Sequence, residues 1–485
     1  MKLIKKGIIV FILISCLFII GCSNQITGDV IGVNEEVVEE DYICEDCNVI
    51  LLLIDTLRAD HMGCYGYYRE TTPEIDKFAK ESVIFKNMIA QCSWTRPSTT
   101  SILSGLYLKN HGVYAINQTL SEDVLILPEI LQDNGYHTYA FISNGIVSEH
   151  AGFNQGYDHF NDRLFARLMK ERREQNNLSA DPNGAVFYIN SKNLNEEVFE
   201  FVRENVTSRF NNFIYIHYMD PHGPYNPEVK HFSADNKIQL GNDTRRLLGP
   251  KNVSQAFLEE KTEKERQQIF QEMINSYDDE ILINDDSVGE LFEFLKSQGM
   301  YDNSIIIILA DHGEEFYEHG GFAHGRTLYE EQLKVPLIIK VPNIGHKVID
   351  EQVNHIDVVP TVLDLLGIDS GVEFDGVNVL DGKYHEFSYS ELEFHKNKKS
   401  AIRTLELKLI RNHLDEKDNQ FYLLSEDYKE KNDLYSNKEY SIEVELLYNR
   451  LNSFLEDKRD LDLTQQEREI DEETLEQLKA LGYMN

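Results

Sequence analysis

Val49-Ile50-Leu51-Leu52-Leu53-Ile54-Asp55 decides the fold. Six apolar residues in a row lack the alternation of a strand with one wet face and are too few for a helix. They read as a strand buried on both faces, and the run ends in a carboxylate. Residues 212–218, 304–310 and 336–341 repeat the pattern. Amphipathic helical stretches at 72–82, 127–134 and 286–299 fall among them. This alternation predicts an α/β domain with a large mixed, mostly parallel sheet flanked by helices on both faces. In such sheets polar site residues gather beyond the carboxyl ends of the strands. Asp55 follows one run, the segment from His217 to His222 follows another, and Asp311-His312 follow a third.

The sequence begins Lys2, Lys5, Lys6, continues with an apolar stretch from Gly7 to Ile20, and reaches Gly21-Cys22. That order reads as a lipoprotein-type signal over 1–22, with a lipid on Cys22 or an uncleaved signal anchor as the two ways to hold the chain at a membrane. Either one exports the domain to a cell-surface or periplasmic location. Residues 23–47 are polar and acidic, without strand or helix periodicity, and read as a tether. The catalytic domain is expected over 48–385, and shorter alternating pieces at 405–411 and 420–424 predict a small C-terminal antiparallel β-subdomain with a closing helical tail over 386–485. Asp and Glu total 83 against 47 Lys and Arg, and a formal charge of -36 disfavours nucleic acid as a partner. Cys44 and Cys47 form either a local disulfide or two free thiols, because a zinc ribbon needs a second such pair.

Asp55, Asp311 and His312 are of the types that hold a divalent cation, and all three fall at strand ends. Thr95, in Trp94-Thr95-Arg96-Pro97-Ser98, is a weak nucleophile unless its pKa is lowered, which coordination to such a cation achieves. The same segment reads as a loop entering a helix, with Pro97 in the first turn and Ser98-Thr99-Thr100 satisfying free backbone donors. A helix N-terminus just past Thr95 points N–H groups at an anion. Trp94, the only tryptophan, is expected to wall the pocket.

Taken in order, Ile54-Asp55-Thr56-Leu57-Arg58-Ala59-Asp60, Trp94-Thr95-Arg96-Pro97-Ser98 with Ser104-Gly105-Leu106-Tyr107, His217-Tyr218-Met219-Asp220-Pro221-His222-Gly223-Pro224-Tyr225, Asp311-His312-Gly313-Glu314-Glu315 and His324-Gly325-Arg326 resemble the sulfatase family of the alkaline phosphatase superfamily. The resemblance implies a metal-dependent ester hydrolase. Sulfatases proper carry Cys-x-Pro-Ser-Arg, or Ser in first place, and oxidise that residue to formylglycine. This chain has Thr95 and Thr99 at the first and last of those positions, and threonine cannot yield the aldehyde because its β-carbon bears a methyl. Thr95 instead resembles the unmodified Thr of nucleotide pyrophosphatase/phosphodiesterases and lipoteichoic acid synthases.

The resemblance further implies that His222 faces the substrate, and that His324, close to where sulfatases hold a Lys, binds the same anion or a second metal, with His319 as competitor. Asn144 either donates to the transferred group or is a turn residue before Gly145. Thr56 stands where many sulfatases have a second aspartate, and fewer oxygens with an added imidazole favour one Mn or Zn ion, with Ca or Mg as alternatives. Arg58 and Asp60 match the family's run or form an internal ion pair. Three activities remain open on these residues: phosphodiester or phosphonate-ester cleavage or transfer through Thr95, sulfate-ester hydrolysis without formylglycine, and a catalytically silent binding protein on the same scaffold.

Overall fold

The computed structural model describes residues 30–32, 42–163, 189–207, 211–225, 227, 229–233, 247, 251–394 and 397–459. The signal at 1–22, most of the tether at 23–47 and the tail beyond 459 lie outside them. The strands are β1 (Val30–Gly32), β2 (Asn48–Ile54), β3 (Val83–Ile89), β4 (His137–Ile142), β5 (His159–Asn161), β6 (Asn212–Tyr218), β7 (Ser304–Leu309), β8 (Glu315–Phe316), β9 (Phe322–Ala323), β10 (Lys334–Lys340) and β11 (Lys347–Asn354). The later part of the chain adds β12 (Lys383–His385), β13 (Ser388–Phe394), β14 (Asn397–Arg403), β15 (Leu407–Asn412) and β16 (Gln420–Leu423).

An eight-stranded sheet is ordered β11-β3-β10-β7-β2-β6-β4-β5. Only β10 runs against its neighbours; the other pairings are parallel. β2, β6 and β7 are buried at every residue, as expected of parallel strands covered on both sides. Side chains of β6 alternate between the faces. Tyr218 hydrogen-bonds Asn195 of the helix Ser191–Asn205, while Tyr215 and His217 point the other way, toward the helix Thr95–Ser104. Register makes the central strands end level, because Leu53 pairs with both His217 and Leu309, and Ile142 pairs with His217. Residues just past those positions therefore converge on one edge.

The expected helix at 286–299 is the last part of a 35-residue helix, Glu263–Ser297. The part before residue 286 hides from an apolar pattern because Asp278, Asp279 and Asp285 are buried and bonded. Asp278 accepts from Arg69 and Tyr67, Asp279 from the amides of His231, Phe232 and Ser233, and Asp285 from those of Glu74 and Ile75. Thr262 caps this helix with Glu265 in a reciprocal box.

The C-terminal unit is a four-stranded antiparallel sheet, β13-β14-β15-β16, closed by the helix Ser441–Glu456. Ile402, Leu409, Phe421, Leu447, Leu451 and Phe454 form its core, and Tyr107 joins them from the first domain. The segment read as a tether departs from that reading where β1 pairs antiparallel with β12. Cys44 and Cys47 are disulfide-bonded, the first of the two states expected of them.

Candidate active site

Asp55 leaves β2 and Asp311 follows β7 by two residues, both fully buried. The turn after β2 puts Thr56 in the left-handed region (φ 59°). Its amide donates to Asp311 Oδ1 at 3.2 Å, and its carbonyl accepts from Tyr277 at 2.8 Å. This strained turn thus ties one carboxylate loop to the other.

His312 Nδ1 lies 2.9 Å from the Gly313 carbonyl, which can only accept, so Nδ1 carries the proton and Nε2 presents its lone pair. Nε2 stands 3.2 Å from Thr95 Oγ1, 3.3 Å from Asp311 Oδ2 and 3.9 Å from Asp55 Oδ1. Thr95 is buried and is the first residue of the helix Thr95–Ser104, where backbone N–H groups lack helical partners. The four residues expected around a cation, Asp55, Thr95, Asp311 and His312, therefore come together.

Ser98 and Thr100 do not cap that helix, against expectation. Ser98 Oγ donates to the Cys92 carbonyl and Thr100 Oγ1 to that of Arg96, so neither side chain occupies an N-terminal amide of the helix. Arg96 donates to the Ile146 and Gln118 carbonyls, which fastens the helix to the loop bearing Asn144. Trp94 is fully buried and stacks on Phe394 at 4.5 Å, so it packs the seam between domains instead of walling an open pocket.

Asn144 combines both expected roles in altered form. Its Oδ1 accepts from the Ile146 amide at 3.0 Å, as a turn residue does, while its Nδ2 donates to Asp55 Oδ2 at 2.6 Å. The amide group is committed to the carboxylate. His222 and His324 sit beside this centre, with ring centroids 5.0 Å apart, and His324 is 4.3 Å from His312. Burial pushes His222 down to about 4, against the pull of Asp55, and holds His324 well below the imidazole range, helped by His312. His222 Nδ1 meets the Gly223 carbonyl at 2.5 Å, so the neutral ring offers Nε2 as an acceptor.

Sequence reasoning missed two groups. Glu314 is buried, bonded to His324 Nδ1 at 3.1 Å and to Tyr225 at 3.0 Å, and pushed up to about 7 by burial. It was hidden as one acid of a pair after the Asp-His motif. His217 approaches Asp55 Oδ2 with Nε2 at 3.4 Å. The signal that would have found it is register: it is level with Leu53, two residues short of Asp55. His319, by contrast, is occupied elsewhere. Its Nδ1 binds Glu331 at 2.7 Å and its Nε2 the Glu430 carbonyl at 2.9 Å. Arg58 forms the internal ion pair, to Asp60 at 2.8 Å and Glu318 at 2.7 Å.

The donor set fits a divalent cation. Asp55 Oδ1 and Asp311 Oδ2 are buried without a hydrogen-bond partner, a costly state for an ionised carboxylate unless a cation faces it. Burial raises Asp55, but the His217 contact and the neighbouring imidazoles outweigh it and hold that carboxyl below its usual range. Burial and the Asp55 charge push Asp311 up to about 6. Ligand atoms of Asp55, Asp311 and His217 all lie within 4.8 Å of one another.

The Sulfatase family profile matches residues 47–368, and the profile of N-sulphoglucosamine sulphohydrolase, C-terminal, matches 317–457. An N-acetylglucosamine-6-O-sulfatase of Bacteroides thetaiotaomicron is 24% identical over 81% of this chain and 83% of its own length. An arylsulfatase of Clostridium perfringens is 23% identical over 82% and 92%. Among solved structures, a protein in complex with its substrate D-glucosamine-2-N,6-O-disulfate superposes with a TM-score of 0.69 at 22% identity, covering 84% of this chain and 97% of that one. A phosphonate monoester hydrolase of Agrobacterium radiobacter superposes at 0.66 with 17% identity, covering 88% and 98%. With the profile match spanning more than half of the sequence and enclosing Asp55, Thr95, Asp311 and His312, this chain belongs to the sulfatase family and is a hydrolase of ester bonds.

Proposed function

We propose that the enzyme cleaves sulfate or phosphate esters with the Thr95 hydroxyl as nucleophile, and that phosphodiesters or phosphonate esters are preferred. The observation that carries this reading is the 3.2 Å approach of Thr95 Oγ1 to the lone pair of His312 Nε2, at a helix N-terminus and beside two unpartnered carboxylate oxygens. A divalent ion held by Asp55, Asp311 and His312, Mn or Zn in preference to Ca or Mg, would supply Lewis acidity that lowers the Thr95 pKa. Thr95 Oγ1, its proton released to solvent, would then attack phosphorus or sulfur, the bond from that atom to the ester oxygen would break, and the oxygen would leave as the alcohol with a proton from solvent, while the free N–H groups at the start of the helix Thr95–Ser104 hold the non-bridging oxygens. His222, with its Nδ1 on the Gly223 carbonyl, would orient the water or alcohol that releases the covalent Thr95 ester, the proton of that group passing to solvent.

Sulfate-ester hydrolysis is the second reading, favoured by relatives named as sulfatases. The basic, then apolar, N-terminal stretch ending at Cys22 supports an exported enzyme tethered to a membrane. The test is a panel of aryl sulfate, phosphate monoester, phosphodiester and phosphonate ester substrates, with and without Mn²⁺ or Zn²⁺, on wild type and Thr95→Ala. Diester rates above sulfate rates, lost in Thr95→Ala, are expected. Sulfate rates equal to or above diester rates would overturn the preference, and full activity of Thr95→Ala would overturn the nucleophile.

A further inference from the structure

We infer that His217 is a direct metal ligand together with Asp55 and Asp311, that a cation seated there draws in His312 as a second imidazole, and that Tyr215 orients the imidazole of His217. The inference rests on the metal-dependent reading above and deepens it.

His217 is fully buried, one strand away from Asp55, on the face of β6 that looks toward the nucleophile helix. Its Nε2 is 3.4 Å from Asp55 Oδ2. That is long for an N–H···O bond, which prefers about 2.9–3.0 Å, and the same oxygen already accepts from Asn144 Nδ2 at 2.6 Å. Donors that each stand about 2.1 Å from a common centre in a tetrahedral arrangement are about 3.4 Å apart. The neighbouring separations, 3.3 Å from His312 Nε2 to Asp311 Oδ2 and 3.2 Å to Thr95 Oγ1, fall in the same range. Asp55 thus stands between two rings, with Oδ2 toward His217 and Oδ1 toward His312.

The far side of His217 is built for the same purpose. Its Nδ1 lies 3.0 Å from the Tyr215 hydroxyl. A ligating histidine commonly uses its other ring nitrogen in this way, which fixes both ring orientation and tautomer. With an ion bound, Nδ1 would carry the proton and donate it to Tyr215 Oη, which frees the Nε2 lone pair for the ion in place of the contact with Asp55. The Tyr215 hydroxyl in turn meets the side chain of the buried Thr99. Thr99, Tyr215 and His217 therefore form one line of buried polar groups that ends at the candidate metal centre.

Two nitrogens among the donors also carry a consequence for selectivity. Imidazole suits Zn, and to a smaller degree the more oxygen-preferring Mn, better than Ca, which takes six to eight oxygens. Replacing His217 should therefore cost affinity for the first two ions and little for the third.

The experiment uses the whole protein loaded with Mn²⁺ and counts coordinated imidazole nitrogens by pulsed electron paramagnetic resonance, alongside chelator-competition affinities for Mn²⁺, Zn²⁺ and Ca²⁺. Wild type should give two imidazole couplings and His217→Gln one, with Mn²⁺ and Zn²⁺ affinity reduced on the order of 100-fold. Tyr215→Phe should keep both couplings and lose about tenfold in affinity. One coupling in wild type, or unchanged affinity and spectrum in His217→Gln, would overturn the inference. If His217→Gln does not fold, the wild-type count decides alone. Thr95→Ala should retain both couplings, so a failure of the nucleophile assignment is read separately as retained turnover in that variant.

Discussion

Asp55 and Asp311 are fully buried and, among the described residues, their ion-pair partners are imidazoles alone, whereas the buried Glu430 at the domain seam shares the Lys408 ammonium with Glu330. Lys408 Nζ stands 2.9 Å from each glutamate, and Arg403 adds a second cation 3.3 Å from Glu330. Burial works against ionisation at the seam, yet Arg403 and Lys408 hold Glu330 down at about 2. Burial and the charge of Glu330 push Glu430 up to about 7, with Lys408 opposing. One cluster is electrically closed by the chain itself; the other is left open by it. A closed cluster can serve only structure, because its charges have no capacity to bind anything further. An open one costs stability and is tolerated where a cation or substrate repays it.

Lys408→Met is the harshest way to break the contrast. It strands Glu330 and Glu430 without their shared cation and should destabilise the protein by about 3–5 kcal/mol in urea melts. Adding Glu430→Gln to it should recover part of the loss, and strict additivity would deny the coupling. At the open cluster the sign reverses. Wild type should gain about 2.7 kcal/mol when Mn²⁺ is raised to about a hundredfold above its Kd. Asp311→Asn should gain nothing from the ion and, in chelator, melt no lower than wild type. A chelated Asp311→Asn that is clearly less stable than chelated wild type would mean that the centre is closed after all.

The closed cluster was invisible in the sequence, and the open one was partly legible, for the same physical reason. Asp55, Asp311, His312 and Thr95 each follow a strand or open a helix, and strand ends are where an apolar run stops and a polar residue becomes conspicuous. Lys408, Glu330 and Glu430 lie on separate pieces that only tertiary packing brings together. The β-strands divide likewise. β2 and β7 are apolar after their first residue and β6 is apolar but for Asn212 and His217, and their observed bounds differ from the expected ones by one residue or less. β3 is interrupted by the partly exposed Lys86 and Asn87, and β11 is an edge strand whose first five residues are not buried, so neither offers a periodic signal. His217 failed to stand out because its function depends on which strand lies beside β2, a pairing that local pattern does not encode.

Asn144 sharpens the comparison on the open side. If its Nδ2 serves to hold Asp55, as the 2.6 Å contact indicates, Asn144→Ala should weaken metal binding by about 10–100-fold, roughly 1.4–2.7 kcal/mol, and do so equally in the absence of substrate. A variant with unchanged metal affinity, but a kcat loss that depends on whether the ester is sulfate or phosphate, would return Asn144 to the transferred group.

The smallest effect belongs to a second closed pair at the seam. His385 Nε2 lies 2.7 Å from Asp357 Oδ1, both groups being buried. Burial lowers the imidazole, but the carboxylate charge and hydrogen bond outweigh it and leave His385 raised above its ordinary value. The folded state therefore binds this proton more tightly than the unfolded chain, whose histidine titrates near about 6.5. Stability from the pair is complete below that pH and is lost as pH rises through the higher folded pKa. His385→Gln should accordingly lower the melting temperature at pH 6 and differ little from wild type at pH 9. The gain is limited because His385 Nδ1 has no partner of its own, so a protonated ring leaves one buried donor unsatisfied. A deficit that stays constant across that range, or grows toward alkaline pH, would show that His385 acts through packing and that the seam is closed by Lys408 and Arg403 alone.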